Sequence, residues 1–234
     1  MKPTKRLFII RHLSRDKKMV TDPQTPTMIG FVEAFVMGLI LATKFGVTNF
    51  IRIVSSPQPR CTRTAQIMQY VVSIFINKGD GLGQMAPVET DCRLNDFSSD
   101  PAFKELKPEF QKIKNAGGAI ESEQAIMMAA PDSDLEKLRV YKADMAMACI
   151  DEIISNAEEG DNLIGVHGAT IDEIASRYKA TVVDGMPAHG MNGIGRQLEH
   201  CEGFVLTING DNLMIKKFEL IERPSWLNAL TCLL

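Results

Sequence analysis

Apolar and polar positions change period several times along the chain, and each change predicts an element. "RLFIIRH" at 6–12 is a short unbroken apolar run with β-branched Ile9 and Ile10, the pattern of a buried strand. "TPTMIGFVEAFVMGLILATKFG" predicts a helix that Thr27 caps and Gly46 ends. "NFIRIVSSP" is a second strand, stopped by Pro57, and "RCTRTAQIMQYVVSIFINKGDG" a second helix closing in a glycine-rich turn. "VETDCRL" predicts a weak third strand. From Pro101 to Asp134 the pattern is irregular, with short helical pieces and the Gly117-Gly118 pair. "DLEKLRVYKADMAMACIDEIISNAEEG" has the clearest helical spacing in the chain. The strand "NLIGVHG", the helix "ATIDEIASRY" and a hairpin-like end, "GFVLTINGDNLMIKKFEL", turning at Asn209-Gly210-Asp211, complete the pattern. Strands alternating with helices imply an α/β layered fold around a mostly parallel sheet. At 234 residues the expectation is one domain over 1–234, with an irregular insertion or lid at about 97–134.

Composition narrows the class. Hydrophobic content of 45% and charged content of 24% are those of a soluble globular protein. A net charge of −3 supplies no field for nucleic acid or an anionic membrane, so an anionic ligand must be held by local arginines. Five cysteines (Cys61, Cys92, Cys149, Cys201 and Cys232) are dispersed, without metal-ligand or disulfide-framework spacing, which suggests reduced thiols and a cytoplasmic protein. The N-terminal apolar run, Leu7 to Ile10, is too short for the core of a signal peptide. Met28 to Thr43 is short for a membrane span and carries Glu33, so it reads as a buried helix. The apolar end, "SWLNALTCLL", reads as a tail docked on the body or on a second subunit, which leaves a homodimer open. "GDGLG" at 79–83 follows a helix, not a strand, and reads as a turn. The 13 methionines are core filler.

Three polar clusters fall at the C-terminal ends of predicted strands: Arg11-His12, Ser55-Ser56-Pro57 with Arg60, and His167-Gly168. In an open α/β sheet that edge is where ligands bind, so residues far apart in sequence converge there. Asp96, just after the third strand, is a fourth candidate. Two arginines offer planar charged forks that match phosphate oxygens. A neutral imidazole can attack phosphorus when its other nitrogen is held protonated by an acceptor. A carboxylic acid can protonate the leaving oxygen and later deprotonate the attacking water. Arg60, at a helix start, suits an anion. This chemistry requires no cofactor and no metal.

These residues resemble the histidine phosphatase superfamily, the phosphoglycerate mutase-like proteins. "FIIRH" at 8–12 is similar to the family's strand and RHG signature. "VSSPQPRCTRTAQ" at 54–66 resembles its SSPxxRxxxTA segment, and "LIGVHGATIDEIA" at 163–175 its second-histidine motif. "RLND" at 93–96 is similar to the RLxE segment, with Asp for Glu, and "GGAIESEQ" at 117–124 resembles the GGES stretch weakly. The resemblance runs from about residue 6 to about 218. It implies a three-layer α/β/α sandwich, with His12 as nucleophile, Arg11 and Arg60 as phosphate clamps, His167 as a second phosphate-pocket histidine and Asp96 as proton donor. Arg15 matches the RHGxR of the acid phosphatase branch and would be a third clamp. Ser14 and Gly168 join it as expected substrate-binding positions. Glu121 and Glu123 are the alternative acids.

Two departures matter. Leu13 stands where the family has glycine, and either turns away from the pocket or narrows it. Ser14 stands where the mutases carry Glu, which counts against a phosphoglycerate mutase. His189 and His200 lie outside the motifs and read as structural, and Arg63 as a solvated neighbour. The expected activity is a metal-independent phosphomonoester hydrolase with a small phosphorylated substrate. The alternatives are a phosphotransferase or mutase of the same fold, and a non-catalytic phosphate-binding protein.

Overall fold

The computed structural model describes residues 4–14, 27–77, 85–116, 131–156, 158–183 and 198–227. The first strand, β1 (Lys5–Arg11), alternates its side chains between two apolar layers, as a strand buried on both faces must. Leu7 and Ile9 join one core cluster, while Phe8 and Ile10 join the other. Helix α1 (Met28–Thr43) follows, then β2 (Arg52–Ser55), α2 (Pro59–Asn77), β3 (Val88–Thr90) and α3 (Phe103–Ala116). Next come α4 (Asp134–Asn156), β4 (Gly160–Val166), α5 (Gly168–Val183), β5 (Gly203–Ile208) and β6 (Ile215–Ile221).

The six strands form one sheet in the order β3-β2-β4-β1-β5-β6. From β3 to β1 the neighbours are parallel, and β5 and β6 close the far side antiparallel. The layers are those expected: α1 and α2 pack through Ala34, Met37, Leu41, Ala65 and Met68 on one face. On the other, α4 and α5 pack through Ala146, Ile150, Ile171 and Ile174. The chain leaves β1, skips a place to build β2 and β3, and returns to insert β4 between β2 and β1. The C-terminal ends of β1, β2 and β4 therefore lie side by side, at the point where strand order reverses and an α/β sheet opens a crevice.

Local chemistry sets the element ends. Thr27 caps α1 by accepting from the Gly30 N–H at 2.9 Å, and Gly46 at φ +63° follows its end. The third strand covers only the start of the VETDCRL stretch, because the Asp91 carboxylate accepts from the Arg93 N–H at 2.8 Å and turns the chain into a 3-10 helix, Cys92–Leu94. The region expected to be irregular with short helical pieces carries α3, with Phe103, Leu106, Phe110 and Ile113 forming an apolar stripe against Phe97, Leu135 and Leu138. Pro108 inside α3 masks that spacing, yet the helix accommodates it. Residues 117–130, including the GGAIESEQ stretch, and the 79–83 turn lie outside the described residues, as does the tail beyond Leu227. Among the described residues no helix is long and apolar enough to cross a membrane. Cys61, Cys92, Cys149 and Cys201 are free thiols.

Candidate active site

Just past β1, the backbone N–H of His12 donates to the Val166 carbonyl at 3.1 Å, which locks the end of β1 to the end of β4. The imidazole is buried, and its Nδ1 lies 2.8 Å from the Leu13 carbonyl. A carbonyl only accepts, so Nδ1 carries the proton and Nε2 keeps its lone pair. Burial, then His167 and the guanidinium charges of Arg60 and Arg11, hold the pKa of His12 well below the ordinary 6.5, against a weaker upward pull from the Leu13 carbonyl. His12 is a neutral imidazole with a defined tautomer.

Leu13 turns away from this group. Its side chain is fully buried in the layer of Ile10, Ala34 and Met37, a burial that contributes roughly 1.5–3 kcal/mol. Gly30 makes room for it: a Cβ there would stand 2.4 Å from the Ser14 carbonyl and 3.0 Å from Leu13 Cδ1. Leu13 is absent from the positive-φ residues, and its N–H donates to Thr64 Oγ1 at 2.9 Å. The turn after His12 at Leu13 thus needs no glycine, and the leucine side chain lies in the core. Ser14 is likewise engaged elsewhere, its N–H and Oγ donating to Glu33 Oε2 at 3.0 and 2.6 Å.

Arg60 lies in the first turn of α2, where the chain turns out of β2 through Ser55 and Ser56. Its guanidinium is buried and donates to Asp96 Oδ2 at 2.7 Å and to His167 Nδ1 at 3.0 Å. Because a guanidinium only donates, Nδ1 of His167 accepts. Nε2 of a neutral His167 therefore carries the proton and points at Ser56 Oγ, 2.9 Å away, which in turn donates to Asn95 Oδ1 at 3.0 Å. Cys61 Sγ lies 3.3 Å from the same Nε2, and burial pushes its thiol far up, so it stays protonated. Asp96 precedes the 3-10 turn Phe97–Ser99, but its carboxylate makes no capping bond there and faces Arg60. The rings of His12 and His167 stand 5.1 Å apart, centroid to centroid. Gly168 is the first residue of α5, directly after His167.

Arg11 is buried at the end of β1, and its guanidinium donates to the Leu198 carbonyl. The structure thus brings His12, Arg11, Arg60, His167 and Asp96 together, and leaves the Ser14 side chain on Glu33. Arg15, Glu121, Glu123 and His189 lie outside the described residues. Three participants carried no assigned role in the sequence. Thr64 ties α2 to the turn after His12, accepting from Leu13 and donating to the Arg60 carbonyl at 2.6 Å. Asn95 ends the His167–Ser56 chain. His200, expected to be structural, packs its ring 5.5 Å from that of His12. Thr64 sits inside the SSPxxRxxxTA segment, so that segment was a usable signal; for Asn95 and His200 no pattern marked the position.

No protein-family model matches the sequence, and no curated protein matches it. Solved structures do. A mycobacterial glucosyl-3-phosphoglycerate phosphatase superposes with a TM-score of 0.57 at 16% identity, covering 94% of this chain and 99% of its own. A phosphoglycerate mutase from Bacillus anthracis gives 0.55 at 15% identity, covering 94% and 93%. An alpha-ribazole phosphatase from Shigella flexneri gives 0.52 at 16%, covering 93% and 96%. The structural neighbours are phosphoglycerate mutase-like histidine phosphatases, and the chain has their fold over nearly its whole length.

Proposed function

We propose that the protein is a phosphomonoester hydrolase that works through a phosphohistidine on His12. The observation that carries this reading is the buried, neutral His12, with Nδ1 committed to the Leu13 carbonyl and Nε2 left as a nucleophile beside Arg60 and His167. The lone pair of Nε2 attacks the phosphorus, the ester P–O bond breaks, and the leaving oxygen takes a proton from the carboxylic acid of Asp96. Arg11 and Arg60 hold the charge on the equatorial oxygens, and His167, accepting from the Arg60 guanidinium, fixes where that fork points. A phosphate oxygen binding Arg60 competes with Asp96 for the same guanidinium and frees the Asp96 carboxyl for the ester oxygen. A water then attacks the phosphohistidine, gives its proton to Asp96, and the P–N bond breaks to release inorganic phosphate.

The fold's neighbours, two phosphatases and a mutase, support this class of chemistry. Transfer to a second hydroxyl is the related outcome, and Ser14, bound to Glu33, stands where the mutases carry Glu. The test is p-nitrophenyl phosphate hydrolysis with EDTA present, across the acid-to-neutral range, beside His12→Ala. Turnover is expected in the wild type and absent in the variant. A wild type without turnover that still binds phosphate leaves the binding-protein reading; activity that survives His12→Ala removes His12 as nucleophile.

A further inference from the structure

We propose that His200 belongs to the phosphoryl site as the residue that positions Arg11. This rests on the reading of the site as a phosphate site, and extends it to a histidine outside every motif. The ring of His200 packs 5.5 Å from that of His12, and its Nε2 lies 3.5 Å from Nη2 of Arg11. A guanidinium only donates, so at this long hydrogen-bonding distance Nε2 is the acceptor. Leu198, two residues earlier, takes the other end of the fork through its carbonyl. One short strap thus grips Arg11 twice and leaves the orientation of its plane little freedom. That matters because bidentate recognition of an anion depends on where the plane of the fork lies.

The strap is held from several sides. Its Leu198 N–H donates to the fully buried Asp172 of α5 at 2.9 Å. The Cys201 N–H reaches the carbonyls of Arg11 and His12 at 3.1 and 3.3 Å, so the turn that carries His200 is bonded to the backbone of the two residues it serves. Glu199 and Glu202 bond to each other through N–H and Oε2 at 2.8 Å, and Glu202 Oε1 accepts from the Arg223 N–H at 3.0 Å. Cys201 adopts φ +61°, a left-handed conformation that a non-glycine residue keeps only where its surroundings over-determine it. Straightening Cys201 would carry His200 away from Arg11 and His12.

The experiment measures binding of inorganic phosphate by calorimetry, which needs no turnover, for wild type, His200→Ala, His200→Gln, Arg11→Ala and the double variant Arg11→Ala/His200→Ala. Loss of the acceptor is expected to weaken binding by about fivefold, with KM for p-nitrophenyl phosphate rising more than kcat falls. His200→Gln, whose amide oxygen accepts from Arg11, should recover most of the loss. In the Arg11→Ala background, His200→Ala should change nothing further. Unchanged phosphate binding in His200→Ala overturns the inference, as does a full additional loss on top of Arg11→Ala or a failure of glutamine to rescue a folded variant. A wild type that binds phosphate in this pattern but hydrolyses nothing overturns the hydrolase reading and leaves the role of His200 standing. A wild type that binds no phosphate overturns both.

Discussion

A histidine can act as a nucleophile at neutral or mildly acidic pH only if it stays uncharged there, and the surroundings of His12 act in opposite directions on its charge. The Leu13 carbonyl selects the tautomer and favours the charged form slightly, while burial and three positively charged or polar neighbours disfavour it more. The native pKa of His12 therefore lies below its unfolded value. Between the two, the unfolded chain holds a proton that the native one does not, so His12 adds stability as pH rises through that window and removes it as pH falls. Ring-labelled NMR should find His12 as the neutral Nδ1–H tautomer at about pH 6, half a unit below the ordinary histidine midpoint. A titration at 6.5 or above would contradict the burial argument. Leu13 belongs to the same scale. Glycine's freedom at that position is replaced by an ordinary backbone and a side chain in the core, so packing holds the turn after His12.

At the level of elements, α1 is tied to both ends of the chain's path past the site by one buried carboxylate. Glu33 is fully buried, accepts twice from Ser14 after β1, and pairs with Arg223 after β6 at 2.8 Å. Burial pushes its carboxyl up, and the Ser14 bonds and Arg223 pull it back only in part. Removing the cation alone leaves an uncompensated buried charge. Arg223→Ala should therefore cost about 3–5 kcal/mol in urea unfolding at neutral pH, less in acid where Glu33 protonates, with part of the loss recovered by adding Glu33→Met. A neutral-pH cost near zero would show that the pair is structurally idle. Glu33 was legible in the sequence as a reason against a membrane span, but its partners were not, because Arg223 lies 190 positions away. The same limit left α3 legible only as short helical pieces, because a proline inside a polar stretch obscured the apolar stripe that packs it.

Across the whole molecule, the site exists only as an assembly. Arg11 and His12 come from β1, Arg60 from the β2–α2 turn, Asp96 from the stretch after β3, His167 from β4–α5, and His200 from the strap before β5. A ligand that binds all of these binds the native state and not the unfolded chain. Inorganic phosphate at a hundredfold excess over its Kd should add about 2.7 kcal/mol, a rise of roughly 5–10 °C in Tm for a chain of this size. Arg60→Ala should remove that rise; an equal rise in the variant would place the phosphate elsewhere.

By itself the sequence determined which strands end in chemistry and in what order, since a run of apolar residues broken by Arg-His, Ser-Ser-Pro or His-Gly is a local signal. It also determined that the first strand is buried, through its unbroken apolar run, and the layered α/β class. Only the tertiary structure decided that Leu13 points into the α1 layer, that Asp96 faces Arg60 instead of capping its own turn, and that His200 stands over His12. Each of these depends on what lies across a gap of many residues, and periodicity reports the face a side chain is on, not the partner it meets there.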